Sequence, residues 1–158
     1  MIFVTVGTQL PFDRMVAAVD RWGQAHPEVS IFAQTGKAGL TDISIPHRDF
    51  VPPAEAKRLI LESELIVAHA GMGSILTALR FGKPILIMPR SAALGEHRNE
   101  HQMATAKWLE SRSGIFVAWD EHDLRRQLDE RERLLCGEHI AEHASPELLA
   151  RVREFIVD

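Results

Sequence analysis

The sequence has few features of a secreted, membrane-spanning or nucleic-acid-binding protein. Its single cysteine, Cys136, excludes an internal disulfide and suits a reducing compartment. No run approaches the roughly 18 apolar residues of a membrane span, and the apolar start, residues 1–7, lacks the basic segment and the length of a signal peptide. The formal net charge of −4 gives no reason to expect nucleic-acid binding. We therefore expect a cytoplasmic protein, which could still meet a membrane through a partner.

What the chain does have is an alternation of strand-like and helix-like segments. Its 158 residues, 46% of them hydrophobic, are enough for one domain with a real core. The predicted strands are 2–6, 30–34, a short extended segment ending near residue 50, 65–69, 84–88 and 115–119. The predicted helices are 12–25, 54–62, 75–81, 100–110 and 121–135. This order predicts an α/β fold, a single Rossmann-like domain with a mostly parallel sheet that binds ligands at the carboxyl ends of its strands.

The last part of the chain is set apart from that domain. Residues 1–136 are predicted to form the ligand-binding domain, and residues 137–158 a linker and an amphipathic helix. Ser145 is a suitable N-cap with Pro146 after it, and an apolar stripe follows at Leu148, Leu149, Val152, Phe155 and Ile156. Such a stripe must be buried, either on its own domain or on a second chain.

Residues 66–76 are the most informative segment. A run rich in β-branched residues ends in His69-Ala70-Gly71-Met72-Gly73-Ser74, and helical periodicity follows. Glycine lets a ligand approach the backbone, and the free N–H groups and dipole of a helix N-terminus favour an anion. This combination predicts a phosphate site. The alternative is a tight strand-to-helix connection that binds nothing.

Loops after the other predicted strands should reach the same edge of the sheet. Two of them contain glycine, at 6–9 and 34–37. Three cations, Lys37, Arg90 and Arg98, also fall in or near loops. They are either solvated surface charges or groups that recognise a carboxylate or a diphosphate, a role for which arginine is well suited.

A metal site is the alternative from another class of enzyme. His97-Arg98-Asn99-Glu100-His101 has the spacing of an inverse zincin, and on a helix the two histidines would share a face. No third ligand can be identified, so we expect no metal. The pair His139 and His143 has similar spacing and is interpreted as part of a polar helix face or linker.

Taken together and in order, the motifs resemble a known family. They are Val4–Gln9 with Pro11-Phe12-Asp13, His69–Ser74, Gly82-Lys83-Pro84, Met88-Pro89 and Glu100-His101-Gln102. The chain resembles, over about residues 1–120, the donor-binding half of GT-B glycosyltransferases of family 28. It is most similar to the soluble subunits of split enzymes, one group in eukaryotic dolichol-linked glycan assembly and the other, of E type, in bacterial exopolysaccharide synthesis.

The resemblance implies roles for particular residues. UDP and its diphosphate would be held by Gly7, Thr8, Gln9, Phe50, Val51, Gly71, Met72, Gly73 and Ser74. The sugar would be bound by Arg90, Arg98, Glu100 and Gln102, with His69 and Glu100 as catalytic candidates. His69 would orient the diphosphate or, if protonated, stabilise the leaving group. Many relatives hold the ribose with a glutamate where this chain has Thr77, so Glu100 is a candidate substitute.

The function that the resemblance implies is inverting transfer of a sugar from a UDP-sugar to a lipid-linked acceptor in polysaccharide biosynthesis. UDP-glucuronate is the first expected donor and UDP-N-acetylglucosamine the second. No metal or other cofactor is expected. A membrane-anchored subunit would bind the acceptor and hold this chain at the inner face of the cytoplasmic membrane, and a homodimer is possible. The alternative is a non-catalytic module that binds a nucleotide sugar and regulates another protein.

Overall fold

The computed structural model describes residues 1–37 and 39–137. It contains six parallel strands and five α-helices within these residues. The strands are β1 (Ile2–Thr5), β2 (Ile31–Gln34), β3 (His47–Arg48), β4 (Leu65–His69), β5 (Ile85–Met88) and β6 (Ile115–Val117). The helices are α1 (Asp13–Ala25), α2 (Pro53–Glu62), α3 (Met72–Arg80), α4 (His101–Leu109) and α5 (Glu121–Asp129).

The strands form one sheet in the order β3-β2-β1-β4-β5-β6. Every neighbouring pair is parallel, and the register places Thr5 of β1 opposite both Gln34 of β2 and Ala68 of β4. The predicted fold class is confirmed. The order reverses between β1 and β4, where the connections leave to opposite sides and open a crevice at the carboxyl edge.

Helices cover both faces of this sheet. On one face β1 packs through Ile2 and Val4 against α1 and α5, with Met15 and Leu124 fully buried. On the other face Phe3 and its neighbours pack against α2, α3 and α4. The central strands β4 and β5 are buried on both sides, which explains why their sequences are continuously apolar rather than alternating.

Two helix boundaries differ from the predicted ones in ways that matter. Helix α3 begins at Met72 rather than 75, because Gly71 is its N-cap and the glycine turn is already helical. Helix α5 ends at Asp129, so the prediction of a helix through 135 is wrong. A short 3-10 turn at Arg131–Arg133 follows, in which the Arg133 N–H donates to the Glu130 carbonyl.

The described part of the chain contains no helix long and apolar enough to cross a membrane. The predicted C-terminal helix and most of the linker lie outside the described residues. The domain boundary near residue 136 therefore stays a prediction. The last described residue, Gly137, contacts Gly114 so closely that a Cβ on Gly114 would come within 2.5 Å of the Gly137 nitrogen.

Candidate functional site

The turns that follow β1, β4 and β5 meet in a cavity of about 440 Å³ at the carboxyl edge of the sheet. Residues 6–9 form one wall after β1. The turn after β4 contributes His69, Gly71, Gly73 and Ser74, and the segment after β5 contributes Arg90, His97 and Gln102. Many of the residues singled out from the sequence are thus brought together. The roles given to them stay predictions.

The turn after β4, residues 70–74, here called the β4 turn, exposes backbone N–H groups. The Ser74 and Ile75 N–H groups both donate to the Gly71 carbonyl, at 3.1 and 3.2 Å. The N–H groups of Met72 and Gly73 have no partner among the described residues. A Cβ built on Gly73 would meet nothing within 4 Å, so this position opens onto free space. The β4 turn can therefore present two free N–H groups and the positive end of α3 to an anion.

The imidazole of His69 lies between two glycines. A Cβ on Gly7 would come within 2.6 Å of the His69 Cε1 atom, and a Cβ on Gly71 within 2.1 Å of its Nε2 atom. Gly7 also has a positive φ of 77°, where a side chain is strained. These two glycines are therefore needed to make room for His69, a reason that is independent of any bound phosphate.

His69 is neutral at neutral pH. Burial, the largest cause, and then the positive charge of Arg90 lower its pKa to about 4, although the Thr5 backbone offsets part of the shift. Its Nδ1 atom is buried without a hydrogen bond of normal geometry in the described structure. The low pKa makes His69 a neutral group in the free protein, and both roles expected of it toward the diphosphate stay predictions.

The loop after β1, residues 7–10, here called the Gly7 loop, is held by side chains from elsewhere in the fold. Gln34 donates from Nε2 to the Gly7 carbonyl at 3.1 Å, and the Gly7 N–H donates to the Thr5 hydroxyl at 3.1 Å. Sequence reasoning missed both Thr5 and Gln34. The available signal was that each is a polar residue at the last position of a buried apolar strand.

Arg90 lies beneath this loop, and its contacts correct the idea that it reads a sugar carboxylate. The residue is only 2% exposed, and its Nη2 donates to the carbonyls of Val6 and Leu10. Since Nη2 is engaged with the backbone, the end-on pair of N–H groups that would grip a carboxylate is not free. Arg98 is exposed and remains a candidate for that role.

Gln102, predicted to bind the sugar, is buried and lines the main cavity. Its Oε1 accepts the backbone N–H of Arg90 at 3.1 Å. This contact fixes the side-chain amide against the start of the segment that follows β5. Gln102 therefore remains a plausible sugar contact whose orientation is set by the backbone.

Glu100 lies outside the lining of the main cavity. It is exposed, and its Oε1 accepts the Ala92 N–H at 2.9 Å. Its catalytic, sugar-binding and ribose-binding roles stay predictions. Thr77 is also engaged, because its hydroxyl donates to the Gly73 carbonyl at 2.6 Å.

The zinc-peptidase alternative loses its geometric basis. Helix α4 begins at His101, so His97 precedes it and the two histidines do not share a helix face. His97 instead places its Nδ1 atom 3.1 Å from the Asn99 carbonyl. Over residues 1–37 and 39–137, no group of three or more histidine, cysteine, aspartate or glutamate side chains is arranged to hold a metal ion.

Two further cavities adjoin the main one and share Gly7 and Thr8 with it. One, of about 330 Å³, lies at the ends of β1 to β3 and includes Lys37 and Phe50 in its lining. The other, of about 360 Å³, is a mostly apolar crevice between α2 and α3. Phe50 is 57% exposed whereas Val51 is buried, so Val51 offers a ligand little more than its backbone.

The whole domain matches a family model. The model described as the glycosyltransferase family 28 C-terminal domain aligns with residues 1–133. A human relative, UDP-N-acetylglucosamine transferase subunit ALG13, is 27% identical over 125 residues, which are 73% of this chain and 11% of the human protein. The Bacillus subtilis (strain 168) protein named uncharacterized UDP-glucosyltransferase YdhE is 23% identical over 137 residues. That alignment covers 82% of this chain and 33% of YdhE.

Solved structures support the same fold. The NMR solution structure of ALG13 superimposes with a TM-score of 0.62 at 19% identity, covering 99% of this chain and 96% of that one. The glycotransferase of kitacinnamycin superimposes with a TM-score of 0.63 at 16% identity, covering 82% of this chain and 34% of that one. The chain spans only one ninth and one third of the two curated relatives. By the match over residues 1–133, this protein belongs to the glycosyltransferase family 28 C-terminal domain family.

Proposed function

We propose that this chain is the donor-binding and catalytic subunit of an inverting glycosyltransferase that moves a sugar from a UDP-sugar to a lipid-linked acceptor. One observation carries the proposal. The Met72 and Gly73 N–H groups are free at the start of α3, beside open space, in a chain that belongs to a glycosyltransferase family. A site of this kind fits the diphosphate of a nucleotide sugar.

The same arrangement suits the chemistry of transfer. In an inverting displacement the acceptor hydroxyl attacks the anomeric carbon and the bond to the β-phosphate oxygen breaks, so negative charge develops on the departing UDP. Fixed N–H donors and a helix N-terminus stabilise that charge without a bound cation. A neutral His69 with its proton on Nε2 can donate to the same phosphate, and we propose that no cofactor is required.

The uridine is proposed to lie toward the apolar crevice between α2 and α3. This crevice opens at the point where the strand order reverses, and Gly73 and Ser74 of the β4 turn form part of its wall. A mostly apolar surface with a few polar groups suits a nucleoside. The backbone at Phe50 and Val51 would hold the edge of the base.

Two donors remain candidates, and each has its own support. UDP-glucuronate requires a cation for its carboxylate, a role left to Arg98 because Arg90 is engaged with the Gly7 loop. UDP-N-acetylglucosamine is favoured by the similarity to the human subunit named for that donor. Arg98→Met distinguishes the two, since it should weaken binding of UDP-glucuronate and leave that of UDP-N-acetylglucosamine unchanged.

The acceptor is proposed to be bound by a second protein. The described residues form one α/β domain with the candidate site open at its edge, and the human relative is named as a subunit. A membrane-anchored partner would supply the acceptor site, the base that deprotonates the acceptor hydroxyl, and the attachment of this chain to the cytoplasmic face of the membrane. A homodimer is a further possible assembly.

The experiment has two stages. Calorimetric titration with UDP, UDP-glucuronate and UDP-N-acetylglucosamine, with ADP as the control, should show selective binding of the uridine nucleotides that is insensitive to a chelator. Transfer to a lipid-linked acceptor is then assayed after co-expression with the membrane partner. Donor binding without transfer in that complex would favour the non-catalytic regulatory module. Absence of UDP binding would contradict the proposal outright.

A further inference from the structure

Arg90 is a buried cation whose position is fixed at its base. It follows β5 by two residues and is 2% exposed. Its backbone N–H donates to Oε1 of Gln102 at 3.1 Å, and its guanidinium carbon lies 5.3 Å from the ring centroid of Phe12. Burying a charge costs desolvation free energy unless hydrogen bonds or an opposite charge compensate for it. The hydrogen bonds that Arg90 makes therefore indicate what the buried charge does.

Those contacts join the two ends of one loop. The Nη2 atom donates to the carbonyl of Val6, which precedes the Gly7 loop, at 3.0 Å. The same atom donates to the carbonyl of Leu10, the last residue of the loop. A rigid, planar guanidinium that bonds both carbonyls fixes the distance between them.

We propose that Arg90 is a positioning residue for the nucleotide donor, which fixes the Gly7 loop as one wall of the cleft that takes the UDP group. The inference rests on the proposed function. Arg90 acts through the Gly7 loop, whose residues Thr8 and Gln9 are exposed. Thr8 lines the main cavity and both adjoining cavities, and Gln9 lines the main cavity and the one at the ends of β1 to β3.

The loop depends on this tether because its other bonds reach only one end. Gln34 and Thr5 both bond to Gly7. At the other end of the loop, the Leu10 carbonyl accepts its side-chain hydrogen bond within the described structure from Arg90. Without Arg90 the loop would be held at its start and free at its end, which would have to be ordered when the donor binds.

The charge of Arg90 gives a second effect that can be measured separately. After burial, Arg90 is the largest cause of the low pKa of His69, and His97 is the other nearby titratable group that lowers it. The Thr5 backbone acts in the opposite direction. Removing the positive charge at position 90 should therefore raise the pKa of His69, whereas a lysine there should leave it low.

Three variants separate the tether from the charge. Arg90→Lys keeps the charge and loses the planar group that bonds two carbonyls. Arg90→Met removes both. Gln34→Leu removes the bond to Gly7 and leaves the charge in place. Arg58→Met is the matched control, because Arg58 is exposed on α2 and makes only surface ion pairs.

Three readouts are taken on the full chain. Backbone ¹⁵N order parameters of residues 8–10 are measured without ligand, and in both Arg90 variants they should fall from rigid values of about 0.85 toward the flexible range below about 0.6. The Kd for UDP should rise by about tenfold in Arg90→Lys, Arg90→Met and Gln34→Leu. Only in Arg90→Met should the pKa of His69, followed by NMR titration of its imidazole, rise above about 4.

The outcomes separate this inference from the function on which it rests. If the wild-type chain binds no UDP, the proposed function fails, while the order parameters of residues 8–10 still test the tether. Unchanged order parameters of residues 8–10 in Arg90→Lys, or lower ones with an unchanged Kd for UDP, overturn the positioning role. If Arg90→Met does not fold, Arg90→Lys and Gln34→Leu carry the test, because each removes one tether and keeps the charge.

Discussion

The β4 turn and the Gly7 loop face each other across the same cavity, yet they are built in opposite ways. The β4 turn is shaped by its own backbone, with the Ser74 and Ile75 N–H groups bonded to the Gly71 carbonyl. The Gly7 loop is shaped by side chains that lie far away in the sequence, Gln34 and Arg90. A locally built turn should tolerate changes elsewhere, whereas the Gly7 loop should respond to mutations in other strands.

His69 joins the two regions, because its ring fills the space between Gly7 and Gly71. Replacing either glycine forces the imidazole out of its place. Changes around His69 should therefore have larger effects than changes confined to one loop.

The largest effect is expected for Gly71→Ala. The added Cβ would come within 2.1 Å of His69 Nε2, which the buried ring cannot accommodate without moving. We expect a loss of about 3 kcal/mol in the free energy of unfolding, the upper end for overpacking. Chemical denaturation measures it, with Gly73→Ala as the control, since a Cβ there meets nothing within 4 Å. Equal stability of the two variants would show that His69 does not occupy this position.

The next effect is a pH dependence caused by His69. Its pKa is about 4 in the folded protein and near 6.5 when unfolded, so the unfolded chain binds the extra proton between these values. Stability from this group is complete above about pH 6.5 and is lost as the pH falls toward about 4, by about 3 kcal/mol at most. The difference in unfolding free energy between wild type and His69→Gln, followed over this range, should show the loss. A constant difference would contradict a neutral, buried His69.

A smaller effect is expected for Thr5→Val, which breaks a tether of the Gly7 loop. The change removes the hydroxyl that accepts the Gly7 N–H at 3.1 Å and retains the shape of the side chain. The hydroxyl also donates to Oε1 of Gln34 at 3.3 Å, so two hydrogen bonds are lost, at about 1 kcal/mol each. Denaturation measures the loss, and Thr41→Val, at an exposed position, is the control. If Thr5→Val were as stable as the wild type, the Thr5 hydroxyl would not hold the Gly7 loop.

The smallest effect is expected for Glu100→Gln. Because Glu100 accepts the Ala92 N–H outside the main cavity, UDP binding and transfer should change by no more than about twofold, less than half a kcal/mol. Transfer kinetics with the partner present measure this. A hundredfold loss of transfer would instead support the catalytic role that the resemblance had suggested.

The contrast between the two regions also explains what the sequence could and could not reveal. The sheet and the β4 turn were predictable because buried apolar strands and a glycine turn before a helix are local patterns. The tether from Arg90 to Leu10 was not, since it joins residues that are close only after β1 and β5 are placed in the sheet.

The directions of side chains were equally beyond the reach of the sequence. The roles of Glu100 and Arg90 were predicted from the sequence, which does not show where a side chain points. In the structure Glu100 bonds to the Ala92 backbone, and Arg90 bonds to the Gly7 loop. The spacing of His97 and His101 left a shared helix face open as an alternative, and the start of α4 at His101 removes it. The low pKa of His69 results from its burial and from the nearby charge of Arg90. Neither can be predicted from the residues around His69 in the sequence.

Calorimetry of UDP binding to Gly73→Val is the most direct test of the β4 turn as the diphosphate site. Gly73 opens onto free space in the cavity, so a valine should fit the folded protein and fill the place of the phosphate. Circular dichroism and thermal unfolding establish that the variant is folded. The expected result is a folded protein whose UDP affinity falls by a hundredfold or more, about 2.7 kcal/mol. A folded variant that binds UDP as the wild type does would show that the diphosphate lies elsewhere.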